Sequence, residues 1–161
     1  MREGDDRAPV AYMARTRAFY EAQGFERAYR YPHHDSAPFA ALPKPLAQCT
    51  LGLVCTASLY GRAPLEPRRV ASAPTSPAPA RLHTDDLSWD KQATHTEDVE
   101  SFCPIGTLLA LARQRVIARL ASRFHCAPTE YSQRTTTGKD APEILRRLRE
   151  DAADAALLVP L

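Results

Sequence analysis

Seven side chains within residues 83–98 could bind a metal or move protons: His83, Asp85, Asp86, Asp90, His95, Glu97 and Asp98. Imidazole and carboxylate suit zinc, iron or manganese. His83, His95 and Asp98 are therefore candidate metal ligands, with His33 converging on the same pocket. The spacing matches no motif of the H-E-x-x-H kind. The competing reading is a solvated acidic loop whose carboxylates cap helices or pair with arginine.

Thiol chemistry has two candidates among the four cysteines, Cys49, Cys55, Cys103 and Cys126. None form a C-x-x-C pair, so neither a zinc knuckle nor a thioredoxin-type motif is signalled. Cys55 closes an apolar run, where the carboxyl end of a strand would place it in an α/β crevice. Cys103 precedes Pro104 at an expected helix start, where the helix dipole would lower a thiol pKa. The bland alternative for each is a small buried apolar residue. In TEYSQR (129–134), Tyr131 is a candidate catalytic residue, and Arg134 could grip a substrate carboxylate bidentately. His33 and His34 join Arg134 as candidate substrate-binding residues. Gly138-Lys139 is not a P-loop, since the upstream Gly is missing and Asp140 stands where Ser or Thr should be.

The elements that must position these groups are legible in part. Residues 9–23 read as a helix, opened by Pro9 and stopped by Gly24. Four prolines within 30–47 make that stretch a loop. Residues 50–58, TLGLVCTAS, form a nearly continuous apolar run, as in a strand buried on both faces of a parallel sheet. Residues 72–80 are rich in Pro, Ala and Ser and are expected to be mobile, with a short strand near 81–83 and a long loop over 83–104. Ile105, Leu108, Leu109, Ala112 and Val116 share a helical face behind Pro104. Residues 123–127 read as a short strand and 129–139 as a surface loop. Residues 140–151 read as a helix with Asp140 and Glu143 as a capping box and Ile144, Leu145 and Leu148 as its buried stripe. DAALLVPL (154–161) closes as a second buried strand, parallel to and near the first. The expected fold is α/β: a single domain over 1–161 with a small parallel sheet flanked by helices, and long Pro-rich and His/Asp-rich loops. Residues 1–8 and 61–80 are expected to be mobile.

Composition narrows the classes. The chain has 161 residues, 44% hydrophobic and 25% charged, enough for a core without disulfides or a structural metal. A net charge of +2 gives no nucleic-acid footprint. No apolar run reaches the ~20 residues of a membrane span, and the first residues carry no secretory h-region. A cytoplasmic protein with reduced cysteines is expected, with no nucleic-acid or membrane partner and a homo-oligomer left open.

Four segments, HHDSAPF (33–39), KPLAQCTLGLVCTAS (44–58), DVESFCPIGTLLALA (98–112) and APEILRRLREDAADAALLVPL (141–161), resemble in order and spacing the selenoprotein B family of the glycine, sarcosine, betaine and D-proline reductases, in particular its short stand-alone members. The resemblance implies an oxidoreductase that reductively cleaves a small amino-acid-like substrate, with a partner reductase or carrier subunit. In that family the late strand ends at a selenocysteine or cysteine, the family's redox group, soon followed by a second cysteine. Asp98 matches an acidic position before the family's F-x-P helix start. Here the sequence stops at Leu161, where that motif should begin. Leu161 is therefore expected not to be the natural terminus, and the activity is expected to depend on a selenol or thiol following it. Two other functions stand beside this one: a metal-binding protein or metal-dependent enzyme using loop 83–98, and a non-catalytic subunit.

Overall fold

The computed structural model describes residues 11–25, 33–37, 40–60, 68–84, 96–127, 129–130 and 132–160. The chain divides into two compact units, 1–38 and 39–161. The first holds helix α1, Tyr12–Ala22, ended by Gly24 at φ 83°, a left-handed backbone that glycine adopts freely. Phe19, Tyr20 and Phe25 stack edge to face along it.

The second unit carries the α/β fold. Its strands are β1 (Thr50–Cys55), β2 (Ala71–Pro74), β3 (Arg119–Leu120), β4 (Arg123–Cys126) and β5 (Ala155–Val159). They form one mixed, mostly parallel sheet. β3 and β4 follow one another along one side of β1, at Thr50–Leu51 and Val54–Cys55, while β5 pairs in parallel with Leu51–Cys55 on the other side. β2 runs antiparallel to β4. The expected parallel pairing of the two apolar runs is therefore present.

Alternation along β1 assigns its two faces. Leu53 and Cys55 join the main core with α2 (Ile105–Arg113), through Ile105 and Leu108. Phe102, Phe124 and Leu82 complete that core. Gly52 faces the other way. A Cβ there would strike Leu148 Cδ2 of α4 (Ala141–Glu150), so the absent side chain lets that helix lie close on the sheet.

Several expectations are corrected. The segment expected to be mobile contains β2, and Thr75 beyond it is buried, with its hydroxyl donating to the Ala121 carbonyl at 2.8 Å. Pro74 is tolerated because it is the last residue of an outer strand. The strand expected near 81–83 is a single bridge between Ser58 and His83. The loop expected over 129–139 instead holds α3 (Gln133–Thr135) and a π-helical turn, Thr136–Asp140, that runs into α4. Asp140 is helical and does not cap. Its carboxylate is buried and accepts two hydrogen bonds from Arg68, at 3.1 and 2.7 Å. Leu145, expected in the buried stripe, is exposed. β5, expected to be buried on both faces, has Leu158 65% exposed. Nothing pairs with its outer edge among the described residues.

Candidate thiol site

Three of the four cysteines meet in the core. In the parallel register Cys55 stands opposite Cys126 on one side and Val159 on the other, so β1, β4 and β5 end together. Cys55 Sγ and Cys126 Sγ are 3.6 Å apart. Cys103, in the turn leading into α2, brings its thiol onto Cys55 from the helical layer. Its own backbone is fixed by Cys103 N–H donating to Val99 O at 2.7 Å and Ile105 N–H donating to Cys103 O at 2.8 Å. The three side chains are at most 1% exposed, packed with Leu53, Phe102 and Phe124. Cys49, at the start of β1, lies apart and donates to backbone carbonyls of Lys44 and Pro45.

The electrostatics single out one sulfur. Hydrogen bonds from Cys103, then Cys126, favour the ionised form of Cys55 and hold its pKa below the usual thiol range, although burial opposes this. Donating to Cys55 pushes Cys103 and Cys126 above that range, and burial and the Cys55 charge push the same way. Ionisation is thus favoured at Cys55 and disfavoured at Cys103 and Cys126. The expected lowering of Cys103 by the helix dipole is reversed. Glu100 takes the amino end of α2 instead, its carboxylate accepting from Gly106 N at 2.7 Å and Thr107 N at 3.0 Å.

The remaining candidates are scattered. Asp98 caps a 3-10 turn, Val99–Ser101, accepting from Glu100 N at 3.0 Å. Asp85, Asp86 and Asp90 of the acidic loop lie outside the described residues. His83 is half-buried and joined through its backbone to Ser58. Arg134 is exposed on α3. His33 and His34 belong to the first unit, where His33 lies 3.3 Å from Asp35. Tyr131 and His95 fall outside the described residues. Among the described residues, no group of three or more His, Cys, Asp or Glu side chains is arranged to hold a metal ion.

Two features escaped the sequence reading. Cys126 was legible only as a buried small residue, and its place beside Cys55 is a matter of strand register. His125, one residue earlier, points to the opposite face and is fully buried. Its Nδ1 is 2.8 Å from Ser72 Oγ, which also accepts from Arg147 at 2.6 Å, and its Nε2 is 3.2 Å from Asp151 Oδ2. Ser72 ties β2 to β4 through His125 and to α4 through the bond that Arg147 donates to its Oγ. His125 Nε2 and Asp151 Oδ2 face each other without a hydrogen bond.

A cavity of about 420 Å³ lies beyond the end of β1, lined by Ala80, Arg81, Leu82, His83, Thr84, Thr96 and Glu97. Leu82, which lines the cavity, belongs to the same core cluster as Cys55 and Cys103. Arg81 and Glu97 are exposed there, and neither forms an ion pair among the described residues. Among the described residues, no helix is long and apolar enough to cross a membrane. Comparison with family profiles, with curated proteins and with solved structures gives no match.

Proposed function

We propose that this chain is a thiol-dependent oxidoreductase of the selenoprotein B type, which reductively cleaves a small amino-acid-like substrate in the reducing setting of the cytoplasm. The observation that carries the reading is the convergence of Cys55, Cys103 and Cys126 where three parallel strands end together. Open α/β sheets bind ligands at that end. In the reaction the cleaved bond takes up two electrons and two protons, and two thiols become a disulfide. A partner reductase then returns the electrons.

The adjoining cavity supports the substrate class. Arg81 supplies a cation for a carboxylate and Glu97 an anion for an ammonium group. Arg81 takes the role first read for Arg134. The resembled family carries its selenol or thiol just beyond a strand such as β5, and β5 ends opposite Cys55. A selenol or thiol carried there would meet the same cluster.

The test is anaerobic incubation of the chain with a dithiol reductant and glycine, sarcosine, betaine or D-proline, followed by nuclear magnetic resonance. Substrate loss that Cys55→Ser abolishes, with Arg81→Ala raising KM more than it lowers kcat, is the expected result. Absence of turnover with all four, or turnover indifferent to Cys55→Ser, overturns the reading.

A further inference from the structure

We propose that Cys55 and Cys126 form a reversible dithiol–disulfide couple across β1 and β4, oxidised by a small peroxide, with Cys103 outside the couple. The proposal rests on reading the cluster as a redox centre, and it assigns which two of the three sulfurs exchange electrons.

Register supplies the first argument. Cys55 and Cys126 are direct partners in a parallel ladder, so both side chains leave the same face of the sheet. Neighbouring strands are about 4.8 Å apart. That lies inside the Cα separation of about 4.4–6.8 Å that a disulfide needs. The sulfurs must close from 3.6 Å to about 2.05 Å, a shift within reach of side-chain rotation. This pair is also the last of the β1–β4 register, followed by Ala127 N–H donating to Cys55 O at 2.9 Å, so a small displacement there disturbs little of the sheet.

The protonation pattern supplies the second. Cys55 lies between the thiols of Cys103 and Cys126, and hydrogen bonds donated by these two favour the nucleophilic thiolate at Cys55. Cys103 sits on a fixed turn and serves as a donor that stabilises this thiolate.

Burial supplies the third. Cys55 and Cys126 are 1% and 0% exposed, and hydrogen peroxide, little larger than water, is the oxidant that needs the least local opening to reach them. Cys55 thiolate attacks one peroxide oxygen, giving a sulfenic acid and hydroxide, and the O–O bond breaks. The Cys126 sulfur then attacks the sulfenic sulfur and expels a second hydroxide. The two protons from the original thiols convert both hydroxides to water. Two thiols and one hydrogen peroxide thus become one disulfide and two waters.

The experiment treats the reduced full-length chain with one equivalent of hydrogen peroxide, blocks free thiols and maps tryptic peptides by mass spectrometry. Peptide 31–62 carries Cys49 and Cys55, peptide 92–113 carries Cys103 and peptide 124–134 carries Cys126. The expected result is a loss of two hydrogens and a 31–62 to 124–134 cross-link that a dithiol reverses. The cross-link should persist in the Cys49→Ser and Cys103→Ser variants. A cross-link to 92–113, oxidation of Cys55 to a sulfinic acid without a cross-link, or no loss of hydrogens overturns the proposal. No substrate is needed, so the two readings fail separately. A chain that forms this disulfide but cleaves nothing sinks only the reductase function. A chain that cleaves substrate while joining other thiols sinks only this couple.

Discussion

Glu100 holds the amino end of α2 that Cys103 was placed to use. Its carboxylate bonds to the Gly106 and Thr107 amides, and the Cys103 thiol turns inward to Cys55. The positive end of the helix dipole is thereby matched by an ordinary acidic cap. The thiol is left to a low-dielectric cluster, where donating to a neighbouring sulfur outweighs the dipole. Position relative to a helix is thus a poor guide to thiol reactivity when another side chain already satisfies the amides.

The cluster makes alkaline stability a readout of its protons. Cys103 and Cys126 have raised folded pKa values because they donate to Cys55 and are buried. The unfolded chain loses these protons above about pH 8.5, and the folded chain keeps them. Unfolding then releases protons, so stability falls as pH rises past that point. Denaturant midpoints measured from about pH 8.5 to strongly alkaline pH should show this decline. Cys103→Ala and Cys126→Ala should each flatten it, and equal slopes in all three proteins would contradict the assignment.

His125 should govern the acid side. Burial lowers its folded pKa, and the arginines at 123 and 147 add to this, while Asp151 opposes it. The neutral ring is therefore favoured in the fold. The unfolded chain takes up a proton below about pH 6.5 that the folded chain resists, so stability falls as pH drops through that range. Comparing midpoints at neutral and mildly acidic pH in wild type and His125→Asn tests this. The variant should start less stable and lose less on acidification.

What was legible beforehand divides along physical lines. β1 and β5 announced themselves because continuous apolar runs need little context to be read as strands. Ile105 and Leu108 did the same for α2 through helical spacing. β2 did not, since Ala71–Pro74 has no apolar pattern and becomes a strand only by pairing with β4. Exposure of Leu158 was hidden for the same reason: edge and centre positions differ in neighbours, not in composition. At the candidate site, Cys55 was found from its place at the end of an apolar run. Its partner Cys126 lies 71 residues away and is brought there by register alone.

Arg68 and Asp140 replace the expected capping box, and their pairing can be weighed. The carboxylate is buried, and the guanidinium meets both of its oxygens while also donating to Thr129 O at 3.1 Å. Removing one partner of such a pair leaves the other charge stranded. Arg68→Met should cost about 3 kcal/mol in chemical denaturation. Asp140→Asn in the same background should recover part of that loss. Equal stability of Arg68→Met and wild type would mean that the pair contributes nothing.

Gly52 tests how α4 is seated on the sheet. A Cβ at this position would collide with Leu148 Cδ2 and come within 3.3 Å of the Ala153 Cβ. Leu148 must take another rotamer and Ala153 must give way by a few tenths of an ångström, against a helix end pinned by Asp151 accepting from Arg123 at 2.8 Å. Gly52→Ala should therefore destabilise by about 1–3 kcal/mol, the usual range for overpacking. Because the clash is with one named atom, Leu148→Ala should relieve most of it, and the double variant should be less damaged than the two single effects combined. Gly138 provides the contrast, since nothing lies within 4 Å of a Cβ built there. Gly138→Ala should leave stability unchanged or raise it by up to about 1 kcal/mol, through helix propensity and reduced freedom of the unfolded chain. If Gly52→Ala proves as harmless as Gly138→Ala, α4 does not approach β1 as closely as the Gly52–Leu148 contact requires.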